Sequence, residues 1–167
     1  MNSNITLRPV AETDAETIAR IYNHYVTETT VSFETEALST DEMLQRIRMI
    51  SAKYPYFVAE EDGRVVGYCY VHQWKERAAY CHTLEVTIYL EPEHTEGGLG
   101  RIMMEHLLDA CRKMPDCKNL IACITEENHE SLEFHKRMGF EKVSHFKKVG
   151  YKFGKWLDVV DMEYELD

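Results

Sequence analysis

The chain has 167 residues, 44% hydrophobic and 11% aromatic, which suits one compact domain spanning 1–167 and excludes a disordered or low-complexity protein. Lysine and arginine number 19 against 29 acidic residues, a net charge of -10 whose field repels phosphate backbones and anionic lipid, so nucleic acid and membrane are not expected partners. A mean hydropathy of -0.42, no apolar run near the roughly 18 residues of a membrane helix, and an N-terminus without a signal-peptide layout predict a soluble, cytoplasmic protein.

Residues 5–9 alternate apolar and polar side chains as a short strand does. Thr13 with Glu16 forms a capping-box pattern that opens a helix with Ile18, Ile21, Tyr22 and Tyr25 on its apolar face. Ser39 with Glu42 repeats the pattern before a helix through Met43, Ile47 and Ile50, and Pro55 lies just beyond its end. Residues 56–60 and 65–74 flank Asp62-Gly63, a strong hairpin signal, and a β-rich stretch follows over 79–90. Leu99, Ile102, Met103, His106, Leu107 and Ala110 then repeat at helical spacing. Residues 120–124 read as a buried strand, 130–138 as a short helix stopped by Gly139, and 143–149 and 156–164 as two more strands. The order βααβββαβαββ, without repeat or linker, predicts one α/β domain with a mixed, mostly antiparallel sheet.

The most informative segment runs from the strand ending at Leu90 through Glu96-Gly97-Gly98-Leu99-Gly100-Arg101 into the next helix. Glycines at this corner remove Cβ atoms, so successive N–H groups can converge on an anion at the positive helix end; the alternative is a tight turn packing helix on sheet. No Gly-Lys-Ser/Thr follows, which excludes a Walker loop, and the glycine spacing does not match the dinucleotide fingerprint. The eight histidines show no HxH, HxxxH or HExxH spacing, so no metal site is expected. Five cysteines without a CxxC pair read as reduced, mostly buried thiols, with Cys69, Cys81 and Cys123 as small core residues on strands.

Thr95-Glu96-Gly97-Gly98-Leu99-Gly100 resembles the Gln/Arg-x-x-Gly-x-Gly/Ala hallmark of the GNAT superfamily of N-acetyltransferases, except at its first position. The likeness is closer to the phosphinothricin and methionine sulfoximine N-acetyltransferase branch and extends from Ile5 to Leu166. It is carried by Ser32-Phe33-Glu34, Lys75-Glu76-Arg77-Ala78-Ala79-Tyr80, Glu85-Val86-Thr87-Ile88-Tyr89, Asn128-His129-Glu130-Ser131, His135-Lys136-Arg137-Met138-Gly139-Phe140 and Lys152-Phe153-Gly154-Lys155-Trp156-Leu157-Asp158.

The resemblance implies an acetyl-CoA cosubstrate in a cleft where strands 4 and 5 splay, between helices on both faces of the sheet. It assigns Ile88, Tyr89 and Leu90 to the pantetheine arm, Glu96, Gly97, Gly98, Leu99, Gly100 and Arg101 to the pyrophosphate, and Asn128 to the arm as well. Asn128 also reads as a helix N-cap, and Arg137 as a solvated cation within reach of a cofactor phosphate. Thr95 and Glu96 depart from the family: a carboxylate beside a pyrophosphate opposes binding by about 1 kcal/mol at 4 Å in water. Backbone donors contribute roughly 1.5–3 kcal/mol each, so weakened, salt-sensitive binding is expected, with Arg101 offsetting Glu96.

Amine acetylation needs a base, an oxyanion donor and a proton for the thiolate. The resemblance makes Glu85 the base; alternation puts it on one face with Thr83 and Thr87, a solvent-facing strand glutamate being the other reading. A main-chain N–H near Ile88 or Tyr89 would meet the oxyanion. His135 stands where relatives commonly carry a tyrosine acid, and also reads as a packed core histidine. Arg77, with its guanidinium fork, and Thr83 are the expected substrate contacts, with Phe33, Trp74, Tyr80 and Trp156 as possible pocket walls. The expected reaction is acetyl transfer to the α-amine of a small amino acid resembling phosphinothricin or methionine sulfoximine. The alternatives are a CoA-binding module with little catalysis, or acetylation of polyamines or protein N-termini; relatives suggest a homodimer.

Overall fold

Local sequence chemistry sets most of the element boundaries in the computed structural model, which describes residues 4–167. The elements are β1 (Ile5–Pro9), α1 (Ala15–Glu28), α2 (Thr40–Ser51), β2 (Tyr56–Glu61), β3 (Arg64–Gln73), β4 (Thr83–Leu90), α3 (Leu99–Arg112), β5 (Asn119–Thr125), α4 (His129–Arg137), β6 (Glu141–Lys152) and β7 (Lys155–Glu165), in the expected order. The strands form a 7-stranded mixed sheet in the order β1-β2-β3-β4-β5-β7-β6, with β4 and β5 parallel.

At α2 the capping box forms as expected: Ser39 Oγ accepts the Glu42 N–H at 3.1 Å and Glu42 Oε2 accepts the Ser39 N–H at 2.8 Å. At α1 it does not. Residues Glu12–Asp14 make a short 3-10 turn instead, and the buried Asp14 accepts the Ala11 N–H at 2.8 Å while Arg8 donates to both its oxygens. A carboxylate held by a guanidinium fork outcompetes the Thr13 hydroxyl as the cap. Asp62 and Gly63 both take positive φ (51° and 84°), the requirement of a two-residue hairpin turn between β2 and β3.

The chain divides into two compact units. The first comprises residues up to Asn23 together with Leu38–His72 and Thr87–Met114. Its core is built from Ile18, Ile21, Ile47, Val58, Val66, Tyr68, Met103 and Leu107, each almost fully buried. The second comprises His24–Ala37, Gln73–Val86 and Pro115–Asp167, with Leu84, Leu120, Ala122, Phe140, Leu157 and Val160 in its core. The β4 strand contributes its first half to one unit and its second half to the other.

Two readings of the last strands need correction. Strands β6 and β7 are longer than expected and meet at Phe153-Gly154, both at positive φ (52° and 76°). Phenylalanine is a poor left-handed residue, so this turn carries no sequence signal. Between Phe146 and Gly150 the register slips; there Asp158 Oδ1 accepts the N–H of Lys148, itself at φ 54°, and Oδ2 lies 2.7 Å from His145 Nε2. Those two contacts hold the Asp158 carboxyl below its ordinary range.

Candidate active site

The glycine corner lies in the first unit. Gly97 and Gly98 sit at φ +100° and +87°, and a Cβ added to either would meet nothing within 4 Å, so the glycines are there for backbone conformation and not for packing. Gly98 is the left-handed N-cap of α3, whose first helical bond runs from Ile102 N–H to Gly98 O at 3.3 Å. The first N–H groups of a helix starting here have no intrahelical carbonyl to bond. Such N–H groups lie at the positive end of the helix dipole, and residues 95–98 beside them are exposed. Glu96 is exposed, and Arg101 does not offset it: its guanidinium bonds Glu105 at 2.8 Å, one turn further along α3.

The segment before the corner is pinned from below. Glu91, 3% exposed, pairs with Arg20 at 2.6 Å and Arg64 at 3.2 Å, and its N–H donates to Val66 O at 2.8 Å. His94 lies 2.6 Å from Glu61 and 3.3 Å from Glu91. The structure thereby gathers Glu91, Glu93 and His94, a grouping that histidine spacing does not reveal; with Glu91 on two arginines, it forms an ion-pair network under the loop. Beside it Gly67 allows close approach of β4, since a Cβ there would fall 3.1 Å from Tyr89 O and 2.5 Å from Leu90 Cδ2. Ile88, Tyr89 and Leu90 are all half-buried, so the strict alternation of Leu84 and Val86 ends before them.

The second unit holds the carboxylate of Glu85 and the imidazole of His135. Thr83, Glu85 and Thr87 are half-buried while Leu84 and Val86 are buried, which is the alternation expected of β4. The β4–β5 ladder pairs Thr83 with Asn119, Leu84 with Leu120 and Glu85 with Ile121, and ends at Glu85. Two residues beyond Ile121, Cys123 Sγ donates to Glu85 Oε1 at 2.9 Å. Cys123 and Cys81 are exposed, correcting their reading as core residues; Cys69, Cys111 and Cys117 are buried. Alternation on β5 puts Cys123 on the face of Glu85, where hydrophobic cover stops.

Arg77 is exposed and caps the short turn Ala78–Tyr80, the Tyr80 N–H donating to Arg77 O at 2.9 Å. Trp74 and Tyr80 meet edge to face with ring centroids 5.4 Å apart, and Lys75 Nζ lies 4.3 Å from the Trp74 ring centroid, so this loop is held by its own side chains. Asn128 is the N-cap of α4, its Oδ1 accepting the Ser131 N–H at 3.3 Å; that leaves its amide NH2 group outside the cap. Arg137 is an exposed cation in the last turn of α4.

His135 is 4% exposed, its Nδ1 lies 2.8 Å from Ser131 O, and it packs edge-on against Phe134 and Phe140. Burial pushes its pKa down despite that backbone bond. The geometry is that of a neutral, packed imidazole whose Nδ1–H serves a carbonyl, which leaves no second proton for an acid.

Sequence reading passed over the ties of the loop between α1 and α2, with Phe33 at its tip. Lys152, 4% exposed, donates to Ser32 O at 2.6 Å; Thr125 Oγ1 donates to Thr30 O at 2.7 Å; and Glu127 accepts from Lys155 at 2.9 Å and from Thr30 Oγ1. Phe33 covers Gly150 so closely that a Cβ there would fall 2.4 Å from the ring. Nothing in local periodicity marks these contacts, because each joins residues far apart in sequence.

The 7-stranded mixed sheet, with parallel β4 and β5 and a left-handed glycine corner leading from β4 into α3, is an α/β fold shared with solved acetyltransferases. Residues 7–160 match the Acetyltransferase (GNAT) domain, and the chain belongs to this family of acetyltransferases. It is 34% identical to the L-amino acid N-acyltransferase MnaT of Escherichia coli (strain K12) over 98% of this chain and 95% of that one. It is 37% identical to a phosphinothricin N-acetyltransferase of Alcaligenes faecalis over 97% of this chain and 83% of that protein. The acetyltransferase yncA of Salmonella typhimurium, solved with acetyl-CoA, superposes with a TM-score of 0.95 at 33% identity, covering 99% of this chain and 95% of that one.

Proposed function

We propose that residues 1–167 act as one N-acetyltransferase domain that moves acetyl from acetyl-CoA to the α-amine of a small amino acid of the phosphinothricin or methionine sulfoximine type. The observation that carries this is the glycine corner at Gly97 and Gly98 together with the relatives' named activities. Acetyl-CoA supplies an activated thioester carbonyl. In the first unit the N–H groups of residues 96–101 hold its pyrophosphate, and the main chain of Ile88, Tyr89 and Leu90 holds its pantetheine arm.

In the second unit Glu85 takes a proton from the substrate ammonium, directly or through water, because amino-acid amines are mostly protonated near pH 7. Arg77 forks onto the substrate carboxylate, and Thr83 adds a hydroxyl on the Glu85 face. The main-chain N–H near Ile88 or Tyr89 meets the developing oxyanion. A packed His135 supports leaving the thiolate to solvent for its proton, a thiol near pKa 8.5 being a tolerable leaving group.

The net charge of -10 supports a small-molecule partner over nucleic acid or membrane and suits a cytoplasmic enzyme; no helix among the described residues is long and apolar enough to cross a membrane. No metal takes part in this reading. Exposed Phe146 and Tyr151 on β6, Phe153 in the turn and Trp156 on β7 support a homodimer.

Thiol release with acetyl-CoA and a panel of amino acids, polyamines and peptide N-termini tests the reading. Release that requires both substrates and is largest with an amino acid is expected; release only with polyamines or peptides overturns the substrate class. Glu85→Gln should lower kcat by about 10²–10⁴ while leaving acetyl-CoA affinity near its original value.

A further inference from the structure

We propose that the Cys123 thiol is a positioning residue for Glu85, a proposal that rests on Glu85 being the base. The two side chains come from neighbouring parallel strands, and the S–H donates to Glu85 Oε1 at 2.9 Å. Cys123 also stands directly opposite Asp161 in the β5–β7 ladder, so a carboxylate flanks it on each side, from β4 and from β7. Shielding from water, then Glu85, then Asp161 keep the thiol protonated well above its ordinary range. It is therefore a neutral donor and a poor nucleophile, despite being one of the exposed cysteines.

A hydrogen bond to one carboxylate oxygen fixes the rotation of the group. It also favours the ionised form, which is the form a base needs. A thioether, valine or alanine at 123 would pack in the same place but could donate nothing. The contact is invisible to sequence patterns because residues 85 and 123 meet only through strand register.

Kinetics of Cys123→Ala and Cys123→Ser against the unaltered chain test this, with acetyl-CoA and phosphinothricin across the pH range and Glu85→Gln in parallel. Losing the donor should lower kcat roughly threefold to tenfold and move the acid limb of kcat/KM to higher pH by about half a unit, with KM for acetyl-CoA unchanged. Serine, an O–H donor, should restore both. A readout independent of turnover is alkylation of Cys123 by iodoacetamide, followed by peptide mass with exposed Cys81 as the internal reference. Glu85→Gln removes the stronger of the two carboxylate charges that hold the thiol proton, so labelling at Cys123 should accelerate severalfold while Cys81 is unaffected.

An unchanged Cys123 labelling rate in Glu85→Gln, or a Cys123→Ala pH profile that overlays the original while Glu85→Gln is impaired, overturns the positioning role alone. A fully active Glu85→Gln overturns the base assignment itself, and the positioning role with it.

Discussion

His135 shows how one buried side chain converts into a pH-dependent property of the molecule. Its native pKa lies below the ordinary value of about 6.5, because burial penalises the charged ring more than the Ser131 carbonyl favours it. The unfolded chain therefore takes up a proton at a higher pH than the native one does. Stability from the neutral ring is fully present above about pH 6.5 and is lost as pH falls from there through the lower native value. Thermal melts should show Tm dropping across that window, and His135→Phe, which cannot take up a proton, should flatten the drop. An identical slope in both proteins would remove His135 as the cause. The side chain was legible in sequence only as a choice between acid and core; the contacts with Ser131, Phe134 and Phe140 decide for the core. Glu85 and Thr83 are opposite cases: strand alternation already puts them on one face, and the structure keeps them there. Cys123 was misread because alternation gives a side chain its face but not the cover above it.

The element that matters most is the corner between β4 and α3, because its glycines were readable before any coordinates and its support was not. Gly98 at φ +87° needs a residue without a Cβ, and an alanine there costs roughly 1–2 kcal/mol of left-handed strain. Gly98→Ala should lower Tm by about 2–8 °C for a chain of this size and weaken acetyl-CoA severalfold, because relieving the strain turns the N–H groups away from a common point. Calorimetry and a melt on the same sample check both; unaltered affinity with a lowered Tm would make the corner a packing turn. The support beneath it, Glu91 with Arg20 and Arg64, draws its partners from α1 and β3, and local pattern holds no trace of it. The α1 start and the β6–β7 turn escaped for the same reason: Asp14 is fixed by Arg8 from β1, and Phe153 is forced to positive φ by the pairing on either side.

Element order and strand direction were legible across the molecule, because capping boxes, the Asp-Gly turn and hydrophobic period all agree with one topology. Assembly is argued from the surface. Phe146 and Tyr151 on β6, Phe153 in the β6–β7 turn and Trp156 on β7 are each at least half exposed, and β6 is an edge strand. Exposed aromatics and an open edge are a surface that a second copy would cover. Sedimentation should give the mass of a dimer, and Phe153→Asp with Trp156→Asp should give a folded monomer; a monomeric parent protein would contradict the dimer.

The central claim, that main-chain amides at the glycine corner grip the acetyl donor through its pyrophosphate, is tested most directly by isothermal titration of the chain with acetyl-CoA and with S-acetylpantetheine, which lacks the pyrophosphate. Saturable binding of acetyl-CoA, at least about tenfold tighter than the truncated thioester, is the predicted result and corresponds to about 1.4 kcal/mol. Equal affinities, or no binding of acetyl-CoA by the folded chain, would contradict it.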